Sequence, residues 1–276
     1  MIVYPNAKIN LGLNIIEKRA DAFHNIESVF YPIGLCDILE IVEDKAIPEN
    51  SENRVSMTIT GIEVPGKVED NLCVKAYQLI SSAYYLPPIK IHLHKVIPIG
   101  AGLGGGSSDA AFFVRALNDL FDLNLSFGEM HHYARQLGSD CSFFINNQAV
   151  FAQQRGDEFE RIALDLSAYY IVLVYPAIHI STAEAYSGVK PKKTKHSIEE
   201  LIKEPMNTWK ESIVNDFEES VFVKHPSIQK IKNELYEKGA IYSSMSGSGS
   251  SVFGIFQQPT NLKNCFPNSF VWEAKL

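Results

Sequence analysis

Two rhythms of apolar and polar residues run through the chain. Arg54 to Thr60 and Lys90 to His94 alternate with period two, as strands with one buried face do. Elsewhere the apolar positions recur at helical spacing. Asp70-Asn71 opens an amphipathic stretch that runs to Tyr84, and Asp109 to Phe121 carries Phe113, Leu117 and Leu120 on one side. Ser126 to Leu137 begins with an S-x-x-E capping box formed by Ser126 and Glu129, and Gly138 is expected to stop that helix in a left-handed conformation. After the polar stretch Gln153 to Glu160 come the apolar run Tyr170 to Tyr175 and a second box, Ser181 to Glu184. Lys190 to His196 reads as an exposed loop, and Pro226 to Lys238 as a helix with proline at its start and Gly239 just beyond its end. Strands at Ser251 to Phe256 and Ser269 to Ala274 close the chain. The mixed order fits α+β better than a regular βαβ series, and the polar break predicts two domains, 1–152 and 153–276.

Composition narrows the function classes. At 276 residues the chain holds one large domain or two closely packed ones. An apolar fraction of 46% and a charged fraction of 21% describe an ordinary soluble globular protein rather than a fibre or a disordered chain. Acidic residues outnumber basic ones, 32 to 25, and the net charge of -7 argues against a broad nucleic-acid surface. Cys36, Cys73, Cys141 and Cys265 are scattered without a CxxC pair, which points to reduced thiols rather than a zinc site or a disulfide scaffold. Of His92, His94, His131 and His132, the first two share one strand face without a nearby acidic or cysteine partner in sequence, so no metal site is expected there. Neither a signal peptide nor a membrane span is visible, so a cytoplasmic protein without a membrane partner is expected.

The candidate chemistry centres on Pro98-Ile99-Gly100-Ala101-Gly102-Leu103-Gly104-Gly105-Gly106-Ser107-Ser108, set between a predicted strand and a predicted helix. Glycines let backbone N–H groups close around an anion, and the following helix turns its positive end to the same place. Phosphate is the natural ligand, with the serine hydroxyls able to meet it or a magnesium ion carried with it. Gly100, Gly102 and Gly105 also satisfy G-x-G-x-x-G, but Lys95-Val-Ile-Pro98 separates the strand from the first glycine, which is not the dinucleotide arrangement. No Gly-Lys-Ser/Thr follows, which excludes a Walker A loop. A flexible turn without a ligand is the bland alternative. A second small-residue run, Ser243 to Ser251, lies between apolar segments and reads as a tight loop inside a domain.

With Pro5-Asn-Ala-Lys-Ile-Asn-Leu-Gly-Leu13, these two loops resemble, in order and spacing, the three motifs of the GHMP kinase superfamily, named for galactose, homoserine, mevalonate and phosphomevalonate kinases. Further matches at Arg19 to His24, Asp70-Asn71-Leu72, Leu137-Gly-Ser-Asp140 and Met245 to Gly249 resemble the branch whose acceptor is a cytidyl-diphosphate-linked methylerythritol. The resemblance spans nearly the whole chain. It implies a two-domain α+β fold with an N-terminal ATP-binding domain, a smaller C-terminal domain and an active site in the cleft between them. It also implies magnesium-ATP as phosphoryl donor and a small-molecule acceptor.

By that resemblance Asp140 is the base for the acceptor hydroxyl and Lys8 the cation beside it, where composition alone would make them a helix-capping carboxylate and a strand-face lysine. Residues 98–108 cradle the triphosphate, and Asn71 lies by the adenine, although a helix cap explains it equally well. Asn10, Ser246, Gly247 and Ser248 belong to the acceptor site. His24 reads the cytosine edge, with Phe23 and Tyr186 as stacking partners. The branch usually has Gly-Tyr-His at Ala22-Phe23-His24 and Thr-Gly-Ser-Gly at Ser246 to Gly249. An aromatic ring and a hydroxyl survive these changes, while the phenol oxygen does not. Another acceptor on the same fold, or a non-catalytic nucleotide sensor, are the competing readings.

Overall fold

A computed structural model describes residues 1–48, 51 and 54–276. By packing, the chain divides into two compact units, one made of residues 1–7, 35–99 and 104–147, the other of residues 8–34, 100–103 and 148–276. This division departs from a break near residue 152. Residues 8–34 pack with the C-terminal part because they carry most of two long strands, Asn6–Lys18 and His24–Cys36, whose sheet is completed by Val150–Gln153 and Glu158–Arg161.

In the first unit four strands stand in the order Ile2–Val3, Ile38–Glu43, Ile89–Lys95, Val55–Gly61, antiparallel except for the last, parallel pair. The alternation in Ile89–Lys95 does what its period requires: Ile89, Ile91 and Leu93 are buried while Lys90 and His92 face outward. Helices Leu72–Ser81, Phe127–Leu137 and Cys141–Asn146 pack against Gly105–Leu120, whose inner stripe is Ala110, Phe113, Val114 and Leu117. The capping box at Ser126 and Glu129 forms in full. Gly138 differs from expectation, with φ 170 placing it in extended backbone rather than the left-handed region.

The second unit adds an antiparallel sheet in the order Tyr242–Met245, Val252–Phe256, Tyr170–Tyr175, Phe270–Lys275. Val172, Val174, Val252 and Met245 meet Leu13 and Ile15 and the buried residues Phe217, Val221, Ile228, Ile231 and Leu235 of helices Phe217–Lys224 and Pro226–Glu237. Gly239 follows the second helix at φ +97, a conformation that a β-carbon disfavours. Among the described residues no helix is long and apolar enough to cross a membrane.

Candidate active site

Three segments far apart in sequence meet in the second unit. The Lys8 backbone N–H donates to Leu103 O at 3.0 Å, tying the first long strand to the glycine loop, and Ser251 N–H donates to Ala101 O at 3.2 Å. Ser246 Oγ donates to Gly102 O at 2.8 Å and accepts the Asn10 N–H at 3.3 Å. Lys8, only 4% exposed, donates from Nζ to Asn10 Oδ1 at 2.6 Å and lies 4.7 Å from the centre of the Phe30 ring. Asn10 Nδ2 in turn donates to Ser28 Oγ at 2.8 Å, and that hydroxyl donates to Gly12 O at 2.6 Å. The lysine is thereby aimed by a relay of buried polar groups.

Gly102 shows why this junction needs glycine. Its φ is +79, and a β-carbon added there falls 1.9 Å from Ser246 O. Gly102→Ala must push the two loops apart and is expected to cost about 2–4 kcal/mol through overpacking and left-handed strain. Thermal denaturation checks this, and an unchanged midpoint contradicts it.

Of the residues expected to read a cytosine, the structure brings two together: the His24 and Tyr186 rings stack at 4.7 Å with planes 20° apart. Tyr186 is held edge-on by Phe217 at 4.8 Å. Phe23 stands apart from this pair, 55% exposed, with the Arg155 guanidinium 5.4 Å from its ring centre. Burial, helped by the nearby Lys18 charge, lowers the His24 pKa and favours the neutral ring, which has one donor and one acceptor. Gly247 adopts φ 56, and Ser248 beside it is half-buried.

In the first unit, the helix starts earlier than its apolar spacing predicts. Gly104 is left-handed at φ 70, and Gly105, Gly106, Ser107 and Ser108 already form the first turn of Gly105–Leu120. At Gly105 there is no room for more: a β-carbon there falls 2.9 Å from Ile97 Cγ2 and 3.2 Å from Lys95 Nζ. Pro98 and Ile99 precede the glycines, and Ile97 before them is fully buried. Ser108 Oγ is a buried hydroxyl without a hydrogen-bond partner among the described residues. A hydroxyl at a helix N-terminus whose oxygen is still available suits a phosphate or its magnesium ion. Asn71 accepts the Cys73 N–H at 2.9 Å and so caps its helix.

Asp140 occupies the N-cap position of Cys141–Asn146, but its carboxylate makes no capping bond. The next turn is pinned by His131, whose Nδ1 lies 2.7 Å from Ser142 Oγ. Burial pushes the neighbouring Cys141 thiol up to about 11, which makes it a poor nucleophile at neutral pH.

Sequence reasoning missed the buried ion cluster around Lys95. Lys95 Nζ contacts Asp37 Oδ2 and, at 2.8 Å, Asp109 Oδ2, all three side chains being buried. Asp37 Oδ1 accepts the N–H groups of Val96 at 2.6 Å and Ile97 at 2.9 Å. The cluster thus ties the residues entering the glycine loop to the helix leaving it. Burial pushes Asp109 up to about 7 against the pull of Lys95, and although burial opposes the charge on Lys95, Asp109 and Asp37 together raise its pKa. The alternation carried a signal for this: Lys95 continues the inward face of Ile89, Ile91 and Leu93, where a lysine requires partners.

Among the described residues no group of three or more His, Cys, Asp or Glu is placed to hold a metal ion. His92 Nε2 and His94 Nδ1 instead share Thr60 Oγ1, at 2.9 and 3.0 Å.

The glycine loop before a helix and the Lys8 relay place the protein in a class that comparison with known families also reaches. The model for GHMP kinases N terminal domain matches residues 71–152, and that for GHMP kinases C terminal matches residues 196–269. Relatives named 4-diphosphocytidyl-2-C-methyl-D-erythritol kinase include one from Parabacteroides distasonis, 50% identical over all of both chains, and one from Bacteroides thetaiotaomicron, 53% identical over 93% of this chain and 92% of that one. The chain belongs to the family of these 4-diphosphocytidyl-2-C-methyl-D-erythritol kinases. A crystal structure of a 4-(cytidine 5'-diphospho)-2C-methyl-D-erythritol kinase is similar throughout, with a TM-score of 0.80 and 26% identity, covering 99% of this chain and 98% of that one.

Proposed function

We propose that the protein transfers the γ-phosphate of ATP to the 2-hydroxyl of 4-diphosphocytidyl-2-C-methyl-D-erythritol, a step of non-mevalonate isoprenoid precursor synthesis in the cytoplasm. The observation that carries the reading is the hydrogen-bonded meeting of residues 8–10, 101–103 and 246–251. Such a network fixes a buried lysine beside a phosphate-type loop with no freedom to wander. Phosphoryl transfer asks the protein chiefly for alignment and charge stabilisation. In this reading the amides of residues 98–108 hold the triphosphate, and Asn71 lies beside the adenine. Asp140 takes the acceptor proton, and the Lys8 ammonium stabilises charge on the moving phosphoryl group. Magnesium bound with ATP supplies further charge neutralisation, and Ser107 and Ser108 are the hydroxyls suited to it. Asn10, Ser246, Gly247 and Ser248 hold the polyol end of the acceptor, while His24, Tyr186 and Phe23 receive its cytosine.

ADP release from magnesium-ATP should depend on the cytidyl acceptor. Turnover with homoserine, mevalonate or a sugar alone would overturn the acceptor assignment. Binding of both substrates without turnover would favour the sensor reading.

A further inference from the structure

Outside the three motifs, the segment before helix Phe217–Lys224 grips the second glycine-serine loop from behind. It first joins the long strand Asn6–Lys18: Leu13 N–H donates to Val214 O at 2.9 Å, Asp216 N–H donates to Leu13 O at 2.8 Å, and Ile15 N–H donates to Asp216 Oδ2 at 2.8 Å. Between those anchors sits Asn215, 2% exposed. Its Nδ2 spends both hydrogens on the loop, one on Met245 O and one on Gly247 O, each at 2.8 Å, while Oδ1 accepts the Phe217 N–H at 3.0 Å. The two carbonyls belong to the residues immediately before and after Ser246. Glu218, one helical turn on, accepts the Met245 N–H at 2.8 Å and the Ser244 hydroxyl at 3.2 Å, with its other oxygen held by Lys232 at 2.5 Å.

The Met245 backbone is therefore fixed at both its N–H and its carbonyl, and the carbonyls on either side of Ser246 are stapled by one amide. From Ser246 the constraint passes through Oγ to the Asn10 backbone, and Asn10 Oδ1 receives the Lys8 ammonium. A buried asparagine needed only for cohesion could bond any available carbonyls. This one brackets the residue that meets both the first strand and Gly102.

We propose that Asn215 is a positioning residue for phosphoryl transfer: it sets the height of Ser246 and, through Asn10, the aim of Lys8. The role in transfer rests on the kinase reading above, whereas the staple itself does not.

The test is a double-mutant cycle of Asn215→Ala and Ser246→Ala, with kcat and KM measured for ATP and the cytidyl acceptor below the unfolding range of each variant. Asn215→Ala should lower kcat about 10- to 100-fold with the KM for ATP within about threefold of the parent. The double variant should fall no more than about threefold below the worse single one, because both changes act through one linkage. Parental kcat in folded Asn215→Ala, or losses that multiply, would overturn the proposal. If the alanine variant does not fold, Asn215→Ser, which keeps one donor on a shorter arm, takes its place in the cycle, and the same two results would overturn the proposal.

Hydrogen exchange in the free protein reads the staple without substrate. The amides of Ser246, Gly249 and Ser251 should exchange at least about tenfold faster in Asn215→Ala while strand Tyr170–Tyr175 stays protected. Uniform acceleration across both would sink the staple. A parent that turns over no cytidyl acceptor, with selective exchange intact, would refute the kinase reading and the positioning role while leaving the staple standing.

Discussion

Asp140→Asn should reduce acceptor-dependent ADP release by about 10²- to 10⁴-fold, in the range set by loss of one positioned proton acceptor. The substitution keeps the size of the side chain and removes its basicity. The near-isosteric amide should leave the fold in place, with a stability change of about 1 kcal/mol. KM for ATP should change little. Steady-state kinetics beside a melting curve separate the outcomes, and a folded variant within tenfold of the parent would remove Asp140 from the role of base.

Lys95→Met should produce the largest loss of stability, about 3–5 kcal/mol at neutral pH, because it leaves the buried carboxylates of Asp37 and Asp109 without their cation. The loss should depend on pH in a definite direction. Asp109 is pushed up to about 7, above its ordinary value of 3.8, so between those pH values the folded protein holds a proton that the unfolded chain has released. That contribution is complete below about pH 4 and disappears as the pH rises through about 7. Without the ammonium, whose charge pulls the Asp109 pKa down, Asp109 retains its proton more strongly still, so the variant should lie closer to the parent at pH 5 than at pH 8. Urea unfolding at the two values checks this. An equal deficit at both would mean that lost packing, rather than uncompensated charge, causes the damage.

Much of this architecture was legible because local signals and tertiary structure agree. The alternation in Lys90 to His94, the box at Ser126 and Glu129, and Pro226 with Gly239 each act within a few residues, and each appears where its physics places it. What the sequence hid is non-local. Residues 105–108 open the helix with two glycines and two serines, and at Gly105 the packing against Ile97 leaves no room for a β-carbon, which apolar spacing cannot register. Asn215 and Glu218 look like ordinary polar residues at a helix start until the loop they hold is folded against them. Asp37 lies 58 residues from its lysine, too far for any spacing rule. Lys8 and Asp140 stood out only as parts of motifs, since a lone lysine and a lone aspartate have many ordinary uses.

The packing of residues 8–34 with residues 148–276 bears on how the chain can be divided. The matched segments, 71–152 and 196–269, invite a cut between them. A C-terminal fragment made that way would begin without Leu13 and Ile15, which belong to its core, and without the strand to which Val214 and Asp216 bond. An N-terminal fragment would carry those same strands with their apolar faces uncovered. A cut between the matched segments therefore does not follow the two compact units, and a split or transplanted version must keep residues 8–34, and with them residues 100–103 of the glycine loop, beside residues 148–276.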